Sequence, residues 1–311
     1  MKAAVYRKYG APEVVNLSSL DKPTPEAHEL LIKVTASTMA AADIRVRASD
    51  FPWFFWLPAR LIFGLFRPKR SVLGHEYSGV VEAVGGKVSP FKPGDKVFGT
   101  TTLLKQGAHA EYVCVPEQGK NCVVSHAPEN LELAEAAALP IGAMTALFLL
   151  EKAKITTGQK VLVYGASGSV GTYAVQMARQ MGAEVTGVCS TANVDLVQSL
   201  GAAQVIDYKK EDYAAAGAQY DIVFDAVGKT AKSKARSVLK KGGYYVSINM
   251  FTTEKVEKLQ QIAKMVDAQE LKPVIDRSYP LEEIVAAHRY VDSGRKRGNV
   301  LLGFKPRVHD C

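Results

Sequence analysis

The sequence predicts an α/β protein in which a doubly wound parallel sheet is joined to a second, β-rich domain. From about residue 160 onward, strand-like segments alternate with helical segments, which is typical of a parallel sheet covered on both faces. The first 125 or so residues instead consist of short apolar runs between proline and glycine turns. A chain of 311 residues with 47% hydrophobic and 23% charged residues is long enough for two such domains.

The predicted elements follow in chain order. In the first part the strands are LLIKVTAS (30–37), YSGVVEAVG (77–85), KVFGT (96–100) and HAEYVCVPE (109–117). The character changes near Pro140, where AEAAALPIGAMTALFLLEKAKI is helical. The strands predicted beyond it are KVLVYG, EVTGVCS, AQVIDY, YDIVFDAVG, YYVSIN and NVLLGF. The helices predicted among them are Ser169 to Met181, VDLVQSLG, TAKSKARSVLKKGG, EKVEKLQQIAKMVDAQE and PLEEIVAAHRYVDSG.

The most apolar segment, WFFWLPARLIFGLF (53–66), is too short to cross a bilayer. Pro58 and Arg60 interrupt it, and a span needs about 20 apolar residues. Three basic residues follow closely, a pattern that also occurs in segments lying on a membrane surface. We favour an apolar flap packed beside a substrate cleft, and contact with a membrane surface is not expected from the sequence.

Charge and cysteine usage limit the classes of partner that the sequence predicts. The net charge is +8, but the basic residues are spread along the chain rather than gathered with aromatics, so no nucleic acid partner is expected. A net positive charge favours an anionic partner. A phosphorylated cofactor meets this preference with fewer charges than a nucleic acid, whereas a solvated basic surface needs no ligand. The four cysteines show no CxxC spacing, which predicts free thiols. The start, MKAAVYRKYG, lacks the apolar run of a signal peptide, so we expect a cytoplasmic protein.

The strongest chemical signal is VLVYGASGSVGTYAVQMARQMGAEVTGVCS (161–190), where an apolar strand runs through glycines into a helix. The turn has the form A-x-G-x-x-G with an extra glycine ahead of it. Such glycines let the backbone approach a pyrophosphate and let the helix pack close to the strand, while the helix N-terminus offers free N–H groups. The alternative is a purely structural glycine cluster. The candidate cofactor-binding residues here are Gly165, Ser167, Gly168, Val170 and Gly171.

The end of the second strand distinguishes the two nicotinamide dinucleotides. An NAD site keeps a carboxylate there for the ribose 2′-hydroxyl, whereas this strand ends in CSTAN (189–193), with no carboxylate before Asp195 in the next helix. The hydroxyls of Ser190 and Thr191 are able to donate to a phosphate, although both residues are also ordinary helix N-caps. NADPH is therefore the favoured cofactor, and NADH, bound through the 3′-hydroxyl alone, is less favoured.

The chain resembles the medium-chain dehydrogenase/reductase superfamily, and within it the zinc-independent quinone oxidoreductases. The motifs that carry the resemblance are GHEYSGVVEAVG (74–85), FKPGDKVFG (91–99), GASGSVGTYAVQMARQMGAEV (165–185), LGAAQVIDY (200–208), YDIVFDAVG (220–228) and RGNVLL (297–302). They occur in the family's order over nearly the whole chain.

The resemblance implies a GroES-like substrate domain formed by residues 1–124 with 270–311, and a Rossmann dinucleotide-binding domain formed by 125–269. It also implies a cleft where nicotinamide meets substrate. Carried over by motif, further residues would contact the cofactor: Thr145 beside the nicotinamide, Tyr208 at the adenosine phosphate, and Val227, Gly228 and Asn249. Tyr208 has an alternative role as an aromatic side chain covering the sheet edge.

No metal site is expected. A catalytic zinc in this superfamily needs an early cysteine, the histidine of the GHE motif and a later ligand. The early segment ASTMAAAD (36–43) and the later segment ALPIGAMTA (138–146) hold no cysteine or histidine, and residues 90–115 lack the four-cysteine lobe. This leaves His75 as a histidine lining the cleft or core, and Glu76 as a structural carboxylate.

These features predict a zinc-independent, NADPH-dependent oxidoreductase that transfers hydride to a small-molecule electron acceptor, a quinone or an α,β-unsaturated carbonyl. The resemblance leaves the catalytic residues unknown, because relatives carry Asn-Pro where this chain has Ala40-Ala41. His75, Tyr77 and Asp43 are able to hydrogen-bond a carbonyl, and no catalytic role is assigned to them.

Two alternatives stay open: a non-catalytic NADPH-binding sensor or interaction protein, and, less favoured, a zinc-dependent alcohol dehydrogenase. The segment after GGYYVSIN is shorter than in relatives and lacks a further strand at the sheet edge that the superfamily's common dimer uses. We therefore expect a monomer or an atypical dimer.

Overall fold

A computed structural model describes residues 1–102, 104, 106–119, 122–215, 217, 219–228, 230, 232–250 and 252–304, with the main chain only at Phe54. Its strands, numbered in chain order, are β1 (Lys2–Tyr6), β2 (Val15–Ser19), β3 (Glu29–Thr38), β4 (Glu76–Val84), β5 (Lys96–Thr100), β6 (Tyr112–Pro116), β7 (Val124–His126), β8 (Lys160–Tyr164), β9 (Glu184–Cys189), β10 (Gln204–Asp207), β11 (Tyr220–Asp225), β12 (Leu239–Ser247), β13 (Ile275–Pro280) and β14 (Asn299–Gly303). The α-helices are α1 (Ala41–Ala48), α2 (Trp53–Phe63), α3 (Leu133–Ala136), α4 (Pro140–Lys152), α5 (Ser169–Gln180), α6 (Val194–Ser199), α7 (Lys232–Ser237), α8 (Val256–Asp267) and α9 (Ile284–Asp292).

The chain divides into two compact units. Unit 1 comprises Met1–Ile141, Glu254–Ala263 and Ile275–Cys311, and unit 2 comprises Gly142–Thr253 and Lys264–Val274. The domain limits inferred from the sequence, after residue 124 and before residue 270, stay predictions. Cys311 lies outside the described residues, while Cys114, Cys122 and Cys189 are free thiols.

Unit 2 contains a five-stranded, wholly parallel sheet in the order β10-β9-β8-β11-β12. Its central strand is apolar and buried from Val161 to Val163, as expected for a strand covered on both faces. The strand order reverses between β8 and β11. In open parallel sheets the ligand crevice lies beyond the carboxyl ends of the strands at such a reversal, so the ends of β8 and β11 mark the candidate site.

One predicted helix is shorter than the sequence indicated. TAKSKARSVLKKGG was expected to be helical up to its glycines, but α7 ends at Ser237 and β12 begins at Leu239. Lys240 donates to both carboxylate oxygens of Asp221, at 2.9 and 2.8 Å. Together with the pairing of Tyr220 with Leu239, this contact holds the lysine segment in the sheet rather than in the helix.

Unit 1 is β-rich, as predicted. Its main sheet has the order β13-β14-β3-β4-β5-β7, and β6 also pairs with β3. The long antiparallel pair of β3 and β4 runs from Leu30 opposite Val84 to Ser37 opposite Tyr77, and its apolar side chains join one buried core. A second core forms where α9 packs on Tyr6, Met39 and Leu73.

The sequence did not predict α1 or α2. Alanine-rich α1 begins after Ala40, whose N–H donates to the Asp43 carboxylate at 2.9 Å, and this contact satisfies a main-chain donor at the helix start. α2 contains Pro58 in its interior. Within the described residues, no helix combines the length and apolar character needed to cross a bilayer.

Candidate functional site

The glycine-rich turn after β8 has the geometry that a dinucleotide requires. Gly165 adopts φ +80°, a conformation that side chains disfavour. A Cβ on Gly171 would collide with the carbonyl oxygen of Gly165 and lie 2.9 Å from the Cα of Ala166, so helix α5 packs against the turn only with glycine here. The N-cap of α5 is Gly168, which has no side chain to cap the first turn. The turn thus presents N–H groups suited to a pyrophosphate.

Asn193 links this turn to the end of β9. Its Nδ2 donates to the hydroxyl oxygens of Ser167 and Ser190, both at 3.1 Å, while its Oδ1 is buried without a partner among the described residues. Ser190 accepts in this contact and keeps its own hydroxyl proton available. Thr191 differs, because its hydroxyl donates to Asp207 at 2.6 Å. The expectation that both hydroxyls serve a phosphate therefore applies to Ser190 better than to Thr191.

Asp225, at the end of β11, organises the loop that contains two further predicted residues. Its Oδ1 accepts from the main-chain N–H groups of Val227 and Gly228 at 3.0 and 2.8 Å, and its Oδ2 accepts from the hydroxyl of Tyr245 at 3.0 Å. Asn249 donates to the Gly228 carbonyl at 2.8 Å. A Cβ on Gly165 would collide with Val227, so this loop and the glycine-rich turn are in contact.

Tyr208 follows β10 and is half-exposed. The Lys209 ammonium lies 5.4 Å from its ring centroid, and Lys210 lies 3.9 Å from Asp207. An open groove in unit 2 is lined by Tyr164, Tyr208, Lys209, Lys210, Glu211, Asp212, Tyr213 and Lys234. A ring with basic neighbours is able to receive a phosphorylated ribose.

The structure brings most of the predicted cofactor residues of unit 2 together around the ends of β8, β9 and β11. Val170 lies in the first turn of α5. Thr145 is half-buried on α4, and no described hydrogen bond joins it to the others. Sequence reasoning missed Asn193, Asp207 and Asp225 as organisers of the site. The available signal was a polar side chain at or just beyond the end of each parallel strand.

In unit 1 the conspicuous polar pair is Asp43 and His75. Asp43 is fully buried, and its Oδ1 accepts from His75 Nδ1 at 2.8 Å and from the N–H of Gly74 at 2.9 Å. Burial alone would raise the pKa of Asp43, but the charges of His75 and His109 and the hydrogen bonds from His75 and Ala40 hold it well below its ordinary value. The His75 side chain is 13% exposed. An ionised Asp43 therefore fixes His75 with Nδ1 protonated and leaves Nε2 for another partner.

The polar groups next to this pair are hydrogen-bonded within the protein or buried. Glu76 accepts from the Thr38 hydroxyl at 2.5 Å and from the N–H of Ile141 at 2.8 Å. Burial raises its pKa to about 7, although both hydrogen bonds oppose the shift. The Tyr77 hydroxyl is fully buried. Of the three sequence candidates for binding a carbonyl, Asp43, His75 and Tyr77, only His75 has a side chain that is partly exposed.

A zinc ion does not fit this arrangement. No group of three or more His, Cys, Asp or Glu side chains within the described part of the chain is placed to hold a metal. His75 is bonded to Asp43 through one ring nitrogen, and Glu76 is occupied by Thr38 and Ile141. Catalytic zinc needs at least three protein ligands, and the described residues contain no such group.

Comparison with known proteins identifies the family. An alcohol dehydrogenase GroES-like domain model matches residues 26–127, and a zinc-binding dehydrogenase model matches residues 169–271 and, in a second form, 246–302. The chain is 33% identical over 322 residues to the 2-methylene-furan-3-one reductase of Solanum lycopersicum, covering 97% of this chain and 79% of that protein. It is 30% identical to the quinone oxidoreductase of Homo sapiens, covering 94% of each. The chain belongs to the medium-chain dehydrogenase/reductase superfamily.

A solved structure agrees with this membership of the medium-chain dehydrogenase/reductase superfamily. The quinone oxidoreductase from Coxiella burnetii matches with a TM-score of 0.88 and 28% identity over 98% of this chain and 99% of that one. The predicted combination of a GroES-like β-rich domain and a Rossmann parallel sheet is thereby confirmed. The chain is a quinone-oxidoreductase-like member of the superfamily and an oxidoreductase.

Proposed function

We propose that the protein is a zinc-independent, NADPH-dependent reductase that transfers hydride to a quinone or to the β-carbon of an α,β-unsaturated carbonyl. The observation that carries the choice of NADPH is the end of β9. There Ser190 presents an available hydroxyl, and β9 ends without the carboxylate that an NAD enzyme keeps on this strand for the ribose 2′-hydroxyl. A carboxylate at this point would repel the 2′-phosphate of NADPH. The Asp207 carboxylate, at the end of the neighbouring β10, accepts from the Thr191 hydroxyl.

The residues of unit 2 fit the cofactor. The turn from Gly165 to Gly171 would hold the pyrophosphate, Ser190 and Tyr208 the adenosine phosphate, and the loop at Val227 and Gly228 the region nearer the nicotinamide. NADH lacks the 2′-phosphate and gains nothing from Ser190 or the nearby lysines. When bound, NADPH supplies the hydride.

The choice of acceptor rests on the relatives and on the absent ligand set. Among similar proteins, one from Arabidopsis thaliana, 30% identical over 97% of this chain, is named an NADPH-dependent alkenal/one oxidoreductase, and others are named quinone oxidoreductases. Because the described residues contain no group of three metal-ligating side chains, we infer that the protein does not polarise an alcohol through zinc. Electron-poor acceptors need none. The partner we propose is accordingly a small molecule. We also propose that the protein is cytoplasmic.

The reduction also consumes one proton, for which the Asp43–His75 pair is the candidate source. The bound cofactor would supply the hydride and leave oxidised, and His75 Nε2 would supply the proton, so that the acceptor gains two electrons and two hydrogens. Solvent then returns the proton to His75. The buried Asp43 carboxylate accepts a hydrogen bond from Nδ1, and this contact orients the ring.

The test is a paired titration of the metal-analysed protein with NADPH and NADH, followed by turnover with a small quinone and an enal. We expect NADPH to bind at least about tenfold more tightly, with turnover that a chelator leaves unchanged. Tight NADPH binding without turnover on any acceptor would favour the sensor alternative. Loss of turnover on chelation would refute zinc independence.

A substitution sharpens the cofactor test. Ser190→Asp places a carboxylate at the end of β9, so we expect NADPH affinity to fall by more than about tenfold while NADH affinity holds or improves. The matched control is Ser199→Asp, an exposed position on α6 whose hydroxyl bonds only the Leu196 carbonyl. Equal loss of both nucleotides in Ser190→Asp would contradict a 2′-phosphate site there.

A further inference from the structure

Helix α2 exposes an apolar stripe to solvent. Trp53, Leu57 and Leu61 are spaced four residues apart and share one helix face, where they are 90%, 55% and 57% exposed. Ile62, which is 55% exposed, lies on another face of the helix, and Phe66, in the turn that follows, is 89% exposed. Scattered apolar side chains are normal on protein surfaces, but a contiguous group such as this marks an interaction surface.

The helix is held firmly in this orientation within unit 1. The Arg60 guanidinium stacks 3.9 Å from the ring centroid of Tyr9, and the Tyr9 hydroxyl donates to the Gly64 carbonyl at 2.8 Å. On the inner side, Phe63 stacks on Phe51 with 5.6 Å between ring centroids, and Ala59 is fully buried. The outward stripe is therefore a built surface rather than a frayed end.

The Arg60 side chain is oriented in a way that the sequence does not reveal. It interrupts the apolar run in the sequence, which argued against a segment that crosses a bilayer. In the structure, however, its guanidinium lies over Tyr9 and 5.3 Å from the ring centroid of Trp56. The charge is thus turned toward the protein, and the outward face carries no charged side chain between Trp53 and Leu61.

The charge around the stripe has one sign. The sequence contains no Asp or Glu between Asp50 and Glu76. Two exposed basic residues, Arg67 and Lys69, follow the helix, and the Lys69 ammonium donates to the Leu61 carbonyl at 2.7 Å. An apolar face rich in aromatic residues and edged by basic groups matches an anionic lipid surface, because tryptophan favours the headgroup boundary and basic residues favour anionic headgroups.

We propose that α2 and the turn that follows it dock this protein on the surface of an anionic lipid bilayer. Trp53, Leu57, Leu61 and Phe66 enter the boundary between headgroups and acyl chains, and Arg67 and Lys69 contact the anionic headgroups. At eleven residues α2 lies along the surface and does not span it. The inference is independent of the proposed reductase activity.

The chain provides its own probe. Its only two tryptophans, Trp53 and Trp56, both lie on α2, so intrinsic tryptophan emission reports on this helix alone. The full-length protein is titrated with vesicles of phosphatidylcholine alone and of phosphatidylcholine with 30 mol% phosphatidylglycerol, roughly the anionic content that suits an electrostatic test. We expect a blue shift with the anionic vesicles, quenching by lipids brominated near the headgroup, and weakening of binding as salt rises.

Variants separate the apolar and the electrostatic contributions. The double change Leu57→Glu with Leu61→Glu is expected to lower vesicle affinity at least about tenfold, because two charges enter the apolar face. Arg67→Gln or Lys69→Gln is expected to lower it about fivefold each, the equivalent of roughly 1 kcal/mol per basic residue. The matched control is Leu17→Glu, an exposed leucine on β2, which leaves vesicle binding unchanged.

Three results would overturn the proposal. Absence of a spectral shift and of cosedimentation with anionic vesicles would do so directly. A blue shift that grows with protein concentration without lipid, together with a dimer in sedimentation, would assign the stripe to a second copy of the chain. A shift produced by the electron acceptor without vesicles would assign it to substrate binding. NADPH binding, measured in parallel, reports on the proposed function separately.

Discussion

At the scale of single residues, one carboxylate organises the turn that holds His75. Asp43 accepts hydrogen bonds from the main chain at Ala40 and Gly74 and from the ring of His75. Arg70 reinforces the same turn by donating to the Gly74 carbonyl and to the Thr101 hydroxyl. The orientation and tautomer of His75 are therefore fixed before any ligand binds, which lowers the cost of using it in proton transfer.

We expect His75→Asn to lower kcat by about 100-fold with a quinone or enal, because a general acid contributes about 10²–10⁴ to a rate. NADPH affinity should stay unchanged, since His75 is not among the residues proposed to hold the cofactor. His28→Asn, at an exposed histidine, is the control. A wild-type rate in His75→Asn would leave the proton to come from water.

At the scale of elements, the sequence predicted the five strands of the parallel sheet and most helices near it. In unit 1 it predicted β3, β4, β5, β6 and β14, but not β1, β2, β7 or β13. Periodicity and glycine spacing determine these elements locally, as in β8 followed by α5. It did not predict α1 or α2, or the short extent of α7, because tertiary contacts decide those. The Asp43–His75 pair joins residues 32 positions apart, and no local pattern indicates that contact. The contacts of Asn193 with Ser167 likewise depend on two strands meeting.

Two glycines of the same turn are expected to differ in what they control. Gly171→Ala should destabilise unit 2 by about 2 kcal/mol, because its Cβ has no room against Gly165 and overpacking typically costs 1–3 kcal/mol. Gly168→Ala meets only the Gly165 carbonyl oxygen at 3.5 Å, so its stability should change by less than about 1 kcal/mol. Its methyl group nevertheless stands where the pyrophosphate would approach, so NADPH affinity should fall. Denaturation and nucleotide titration of both variants check this; an unchanged NADPH affinity in Gly168→Ala would place the pyrophosphate elsewhere.

At the scale of the whole molecule, unit 1 buries two titratable groups, His288 and Glu76, whose protonation has opposite effects on the free energy of unfolding. Burial lowers the pKa of His288 to about 3, with His109 and Arg47 acting in the same direction and Asp43 against them. Between the ordinary histidine value of 6.5 and pH 3 the unfolded chain binds a proton that the folded chain refuses, so stability falls as pH falls. Glu76, with its pKa raised to about 7, binds a proton on folding between pH 7 and 4.5, and stability rises as pH falls.

These two contributions to the unfolding free energy should nearly cancel between pH 6.5 and 4.5. Glu76→Gln removes the compensating proton uptake, so its unfolding free energy should fall by up to about 1.4 kcal/mol for each pH unit lost in this range. His288→Leu should make the unfolding free energy rise as pH falls, because the unfolded variant no longer binds a histidine proton that the folded protein does not bind. Urea denaturation at several pH values measures both slopes, and His28→Leu, at an exposed position, is the control for the loss of a histidine. If Glu76→Gln kept the wild-type slope, the Glu76 carboxyl group would be ionised in the folded protein at these pH values. Asp43 would then have to be the group that offsets the effect of His288 on the unfolding free energy.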